Sequence, residues 1–166
     1  MAAISYHGTV HDVQAIEWGS GDASDRREGF AALEHGRARA LYAVAEDASG
    51  GVVFPLRRTG RRLEALIGGH SVTWRPLSTA YASSDSLSIA LASDLASKAS
   101  HVVLDRVPDE DGTARNLERA FTKAGWIVAR GQSDCAGSCF RLECWRKGDP
   151  RNWPRLAGRK LRALVS

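Results

Sequence analysis

The spacing of hydrophobic residues changes along the chain, and the change separates expected helices from expected strands. Two short helices are predicted first, at 11–18 and 24–36, where apolar residues recur at helical spacing. Three strands follow at 39–46, 52–58 and 62–67, each bounded by turn residues such as Gly, Ser and Asp. Consecutive strands joined by short turns are typical of an antiparallel meander.

After the meander, the spacing of apolar residues again becomes that of helices, and single strands separate the predicted helices. The predicted elements are a helix capped by Ser84 or Asp85, a strand at 102–104, a helix from 112 to 125, strands at 126–130 and 138–144, and a helix opened by Pro154. This order predicts an α/β fold in which a meander is followed by βαβ crossovers, giving a mixed sheet with helices on both faces. We expect one domain over 1–166, with 150–166 as a basic C-terminal helix.

Pro55 stands inside the second strand of the meander. Proline has no backbone N–H and removes one hydrogen-bond donor from the strand ladder. The position therefore predicts an edge strand or a β-bulge.

Composition and the length of the apolar runs indicate an ordinary globular protein. The chain has 166 residues, of which 43% are hydrophobic and 25% charged, as in ordinary globular domains. No apolar run approaches the roughly 20 residues of a membrane span, and the N-terminus lacks the pattern of a secretory signal. We therefore expect a cytoplasmic protein with no membrane partner.

Metal and disulfide chemistry have little support in the sequence. Cys135, Cys139 and Cys144 are odd in number, and the last two fall on opposite faces of one expected strand, so they are interpreted as small apolar residues and not as zinc ligands. Carboxylates crowd around Pro108 at Asp105, Asp109, Glu110 and Asp111. A hard cation would suit them, but a solvated loop leading into a helix is the favoured interpretation. No metal site is predicted.

Catalytic motifs are also scarce. The chain contains no Gly-x-Ser-x-Gly nucleophile motif, no P-loop and no dinucleotide-binding glycine pattern. Of the scattered histidines, His70 beside Gly68-Gly69 is the candidate general base, with a polar turn residue as the alternative. The catalytic residues remain unassigned.

The order of elements and a series of short motifs resemble a known group of enzymes. The matching residues are Pro55-Leu56, the basic hairpin 57–62, Gly68-Gly69, Pro76-Leu77, and a final segment with Trp153 and 160–162. Together they resemble the GNAT superfamily of acyl-CoA N-acyltransferases, and more narrowly the N-terminal half of CelD-like, FemAB-related proteins of cellulose biosynthesis. The resemblance covers about 39–162. It implies transfer of an acyl group from acyl-CoA to an amine, and a first half that pairs with a second.

The resemblance also implies where acyl-CoA would bind. GNAT enzymes hold the CoA pyrophosphate on backbone N–H groups at the start of the helix after the fourth strand, in a loop with glycines and a basic residue. The corresponding stretch here, 76–85, has neither glycine nor a basic residue and ends in Asp85. The hydroxyls of Ser78, Thr79, Ser83 and Ser84 are the candidate cofactor contacts. We therefore expect a degenerate GNAT-like domain that acts with a partner half or as a homodimer.

An alternative function rests on the C-terminal charge. Residues 145–166 contain seven Lys or Arg against a single Asp, so this segment carries +6 of a chain whose formal net charge is +4. Arg155, Arg159, Lys160 and Arg162 are the candidate anion-binding residues. They would bind nucleic acid or another polyanion if they do not merely form a solvated helix face.

Overall fold

The computed structural model describes residues 1–9, 39–67, 73–79, 84–133 and 138–148. Within them, strands outnumber helices. The strands are β1 (Ala3–His7), β2 (Ala40–Asp47), β3 (Gly50–Thr59), β4 (Arg62–Ala65), β5 (Leu77–Ser78), β6 (His101–Pro108), β7 (Trp126–Gln132) and β8 (Cys139–Arg146). The helices are α1 (Ser84–Lys98), between β5 and β6, and α2 (Thr113–Lys123), between β6 and β7. The expected α/β class is confirmed.

All eight strands form one mixed sheet with the order β1-β2-β3-β4-β6-β8-β7, and β5 pairs with β3. Strands β2, β3 and β4 form the expected antiparallel meander. β4 and β6 run parallel, whereas every other pair of described strands is antiparallel. Because parallel strands need a crossover, α1 returns the chain from the carboxyl end of β4 to the amino end of β6.

Pro55 lies in an interior strand, not in the edge strand expected from the sequence. β3 lies between β2 and β4, but β4 covers only 56–59 of β3 and β5 covers only 52–53. The carbonyl of Pro55 faces the interval between β4 and β5, where it accepts bonds from the Leu66 N–H and the Trp74 Nε1. The missing N–H of Pro55 faces the same side, so it costs no ladder bond.

The main core lies between the sheet and the two described helices. Alternate strand residues such as Phe54, Leu63 and Leu104 pack there against α1 and α2, and all are essentially buried. Helix α2 carries the clearest amphipathic pattern, and its Leu117 and Phe121 are buried as the sequence predicted. A smaller cluster on the opposite face includes Tyr42 and Leu66.

Helix α2 begins and ends at glycines. Gly112 precedes it with φ 79°, and Gly125 follows it with φ 87°, conformations that favour glycine.

Both described helices pack on one face of the sheet. The helices expected at 11–18, 24–36 and 150–166 lie outside the described residues. Within the residues that are described, no helix is long and apolar enough to cross a membrane.

Candidate functional site

A cleft of about 420 Å³ opens where the parallel strands β4 and β6 end. Its walls are the first turn of α1, the first turn of α2 and the short segment around β5. In open α/β sheets, ligands bind outside the carboxyl ends of the strands, and helix N-termini favour anions there. This position makes the cleft the principal candidate site among the described residues.

The lining of the cleft is mainly polar. Its apolar contacts come from Val52, Pro76 and Leu117. Its polar lining residues are Arg75, Ser78, Asp85, Ser88, Asp111, Thr113 and Asn116. A cleft of this kind offers hydroxyls, one amide and charges of both signs to a ligand.

The N-terminus of α2 is already occupied by carboxylates of the chain itself. Asp111 Oδ1 accepts bonds from the backbone N–H and the hydroxyl of Thr113, at 3.0 and 2.6 Å. Asp109 Oδ1 accepts the backbone N–H of Arg115 at 3.0 Å. These bonds use donors that an unoccupied helix terminus would offer to a phosphate.

Both carboxyl groups are held in the ionised form. The backbone N–H of Arg115 lowers the pKa of Asp109, and the guanidinium of Arg130, 2.9 Å away, adds to this effect. Burial opposes ionisation of Asp111, but the bonds from Thr113 and the charge of Arg75 outweigh it and lower the Asp111 pKa. The acidic residues therefore belong, as expected, to a loop that leads into a helix, and Asp109 and Asp111 cap its N-terminus and form ion pairs.

The N-terminus of α1 carries a carboxylate of its own. Asp85 lies in the first turn, and its Oδ2 is 2.6 Å from Nη2 of Arg119 on α2. Ser88, one turn further on, is 8% exposed and lines the cleft. Arg75 Nε lies 3.2 Å from Asp111 Oδ2. The lining thus contains positive and negative charges in neighbouring pairs.

Trp74 closes the interval between β3 and β6 beyond the end of β4. Its backbone N–H donates to the carbonyl of Arg106 on β6, and its Nε1 donates to the carbonyl of Pro55 on β3, each at 2.9 Å. The ring packs edge-on against Phe54 and is 1% exposed. The space between β3 and β6 beyond the end of β4 is therefore filled by protein.

The strand opposite Trp74 is irregular at the same level. The register of β6 against β8 shifts between Leu104 and Val107, and Arg106 has φ 55°, which is rare for a residue with a side chain. Asp105 Oδ1 accepts the backbone N–H of Arg106 and the hydroxyl of Ser133. This bulge turns the carbonyl of Arg106 toward Trp74.

The structure separates the hydroxyls expected to contact a cofactor. Ser78 lies in β5 and lines the cleft. Thr79 does not line the cleft. Its hydroxyl accepts a bond from the backbone N–H of Gly51, and the backbone N–H of Thr79 donates to the carbonyl of Gly51. Ser84 opens α1, but its side chain, like all of Ser83, is outside the described part. Sequence reasoning missed Arg75, Ser88 and Asn116.

The other candidates lie partly outside the described residues. His70 and the four basic residues Arg155, Arg159, Lys160 and Arg162 belong to undescribed segments. Cys139 and Cys144 are buried, as their interpretation as apolar residues predicted, and burial raises the pKa of the Cys144 thiol. Cys135 is outside the described ranges.

No known protein family model matches the chain, and no curated protein or solved structure matches it.

Proposed function

We propose that this chain is a GNAT-like acyltransferase-family domain that lacks its own CoA site and acts with a partner, either a second GNAT-like half or a second copy. The observation that carries the proposal is the internal neutralisation of the cleft. Both helix N-termini that face it hold carboxylates of the chain, at Asp85 and Asp111.

The strand arrangement supports the first part of the proposal. The resemblance implies a meander followed by crossovers, and the described sheet has three antiparallel strands followed by one parallel step through α1. The stretch 76–85, which corresponds to the CoA loop, leads into the same helix. Helices on both faces remain part of the proposal.

Electrostatics argue against a pyrophosphate in this cleft. A carboxylate about 5 Å from a phosphate charge repels it by about 3 kcal/mol at an effective dielectric constant of 20. The dipole of a helix N-terminus returns only about 0.3–1 kcal/mol. Arg75 and Arg119 offset the two carboxylates and leave no net positive charge. The cleft thus lacks the attraction that a CoA site needs.

Packing gives a second, independent argument. A long acyl or pantetheine chain that enters the sheet from the cleft would need the gap that β3 and β6 leave beyond the end of β4. Between β3 and β6 that space holds the buried ring of Trp74, which bonds to both strands. An active version of the domain would have to move Trp74, and it would need a general base, for which His70 is the sequence candidate.

Thermal-shift titration with acetyl-CoA tests the proposal. We expect no change in the melting temperature at millimolar acetyl-CoA. A ligand at 100 times its dissociation constant would stabilise the protein by about 2.7 kcal/mol, a shift of several degrees. A saturable rise of that size would overturn the proposal and make an acyl-CoA-dependent N-acyltransferase the better assignment. Sedimentation of the same sample distinguishes a homodimer from a monomer that needs a different partner.

The second candidate function is an anion- or nucleic-acid-binding module that uses the basic C-terminal segment. Its support is the local charge of +6 over 145–166. Neutralising Arg155, Arg159, Lys160 and Arg162 to Gln should then abolish a salt-sensitive interaction with polyanions. Binding that is insensitive to salt would contradict this function.

A further inference from the structure

The end of the sheet opposite the cleft gathers basic side chains that the proposed function does not use. Two backbone bonds join three separate segments there: Ser100 N–H donates to the Arg61 carbonyl at 2.9 Å, and Arg146 N–H donates to the Ser100 carbonyl at 3.0 Å. Arg58 N–H donates to the Arg39 carbonyl in the same way. The tight turn between β3 and β4, with Gly60 at φ 61°, projects from this end.

We call this region the hairpin end. Both helices also finish there, because each returns the chain to the start of the next strand. Its basic residues are Arg39, Arg57, Arg58, Arg61, Arg62, Lys98, Lys123, Arg146 and Lys147. Its described carboxylates are Glu64 and the buried Glu143.

No described carboxylate forms an ion pair with the exposed arginines of the hairpin end. Among the described residues, the guanidinium of Arg58 donates to the carbonyl of Gly60, and Arg61 and Arg146 form no ion pair. Their positive charges are therefore not neutralised within the described part of the protein.

The half-buried arginines of the hairpin end are only partly neutralised. Arg57 and Arg62 share the single carboxylate of Glu64, at 2.5 and 2.7 Å, and the bond from Arg57 lowers the Glu64 pKa. Two guanidinium groups on one carboxylate leave a net positive charge. The Nε atoms of both arginines also meet no hydrogen-bond acceptor among the residues that the structure describes.

We infer that the hairpin end binds the phosphate backbone of a single-stranded nucleic acid. Strands β3, β4, β6 and β8 are neighbours, so the basic groups extend over about 14 Å at the usual strand spacing. One phosphate cannot contact both sides of such a surface, whereas successive phosphates of a strand can. Arginine, which predominates here, suits phosphate geometry through its planar set of donors.

A nucleic acid fits this surface better than an anionic membrane does. Peripheral membrane binding combines basic residues with apolar side chains that enter the bilayer interface. Among the residues that the structure describes, Met1 is the exposed large apolar side chain, and it precedes β1. The hairpin end therefore offers charge without an apolar anchor.

Fluorescence anisotropy of a labelled single-stranded oligonucleotide tests the inference on the full chain. The wild-type protein should bind with an affinity that falls steeply with salt. R58Q/R61Q should weaken binding about tenfold and reduce the salt slope by about 1.4, the value for two lost contacts on a single strand. Glu64→Gln should tighten binding, because it releases the two guanidinium groups that Glu64 holds.

R115Q/R119Q is the matched control. It changes the net charge by the same amount as R58Q/R61Q, but at the cleft, and it should alter oligonucleotide binding less than twofold. Thermal melts verify that each variant is folded. Equal weakening by both pairs would overturn the inference, as would absence of binding by the wild type. Loss of binding on neutralising 155–162 with no effect of R58Q/R61Q would place the site in the C-terminal segment. Binding to phosphatidylserine vesicles but not to the oligonucleotide would favour a membrane surface and also overturn the inference.

Discussion

The two ends of the sheet carry similar numbers of charged groups, but the described arginines form ion pairs with aspartates at the cleft and largely lack such pairs at the hairpin end. At the cleft, Arg75, Arg115, Arg119 and Arg130 each lie within ion-pair distance of an aspartate. At the hairpin end, exposed arginines such as Arg58 and Arg61 pair with no carboxylate of the described ranges. The two proposals together predict that the pairing of charges, and not location at the carboxyl ends of parallel strands, decides where this protein binds anions.

Replacing Trp74 tests most strongly whether the cleft end is closed by the protein itself. Trp74→Ala should lower the free energy of unfolding by about 3–5 kcal/mol, because it empties a buried space and leaves the Pro55 carbonyl short of one donor. Urea unfolding measures this loss. Trp74→Phe keeps a ring against Phe54 and should cost distinctly less. A loss below about 1 kcal/mol for the alanine variant would show that the ring is not needed to fill the interval.

Removing negative charges from the cleft should give it the affinity for anions that is proposed for the hairpin end. We expect D85N/D111N to bind pyrophosphate at least about tenfold more tightly than the wild type, a change of about 1.4 kcal/mol. The physical reason is that Arg75 and Arg119 then face the cleft without opposing charges. Isothermal titration measures the affinity. E110Q/E118Q changes the net charge equally outside the lining, and an equal gain in that variant would refute the local explanation.

Single arginine substitutions should lower the free energy of unfolding more at the cleft end than at the hairpin end. Arg130→Gln should cost about 1 kcal/mol, because Arg130 pairs with Asp109 and lies 3.8 Å over the ring of Phe140. Arg58→Gln should change stability by less than about 0.5 kcal/mol, since it breaks no ion pair. Chemical denaturation of both variants provides the comparison. Equal losses would show that Arg58 has a structural partner.

Acid should weaken the cleft end through its aspartates. The pKa values of Asp109 and Asp111 are lowered in the folded protein, so their ionised forms stabilise it at neutral pH. That stability should be complete above about pH 5 and should be lost as the pH falls through and below about 4. Unfolding free energies across this range measure the effect, which should be shallower in D109N/D111N. An unchanged profile would mean that other carboxyls, such as Glu64, dominate.

Local patterns in the sequence predicted most of the regular elements. The spacing of Leu117 and Phe121 predicted α2, and alternation with turn residues predicted the meander of β2, β3 and β4. The strand β1 was missed, because its five residues give only a short alternation around Ile4 and Tyr6. β5 was missed because two residues carry no period, and it forms only through its pairing with β3.

The site was less accessible to sequence reasoning. The sequence singled out Asp85 at the end of 76–85, but Arg119, the partner of Asp85, lies 34 residues away. Trp74 fills the interval through bonds to Pro55 and Arg106, which are distant along the chain. The hairpin end likewise combines segments near 60, 100 and 146. Such groupings depend on the order of strands, which local composition does not encode.

The single parallel pair has a consequence for how the chain reaches this structure. β2, β3 and β4 are joined by two-residue turns, and Asp47 stabilises the first turn through its bonds to Ser49. Such hairpins form in about 1–10 μs. The pairing of β4 with β6 joins Arg62 to His101 and must wait for closure of a long loop. The meander should therefore form before the parallel pair, and the cleft, whose lining runs from 52 to 117 across that crossover, is a later product of folding than the meander.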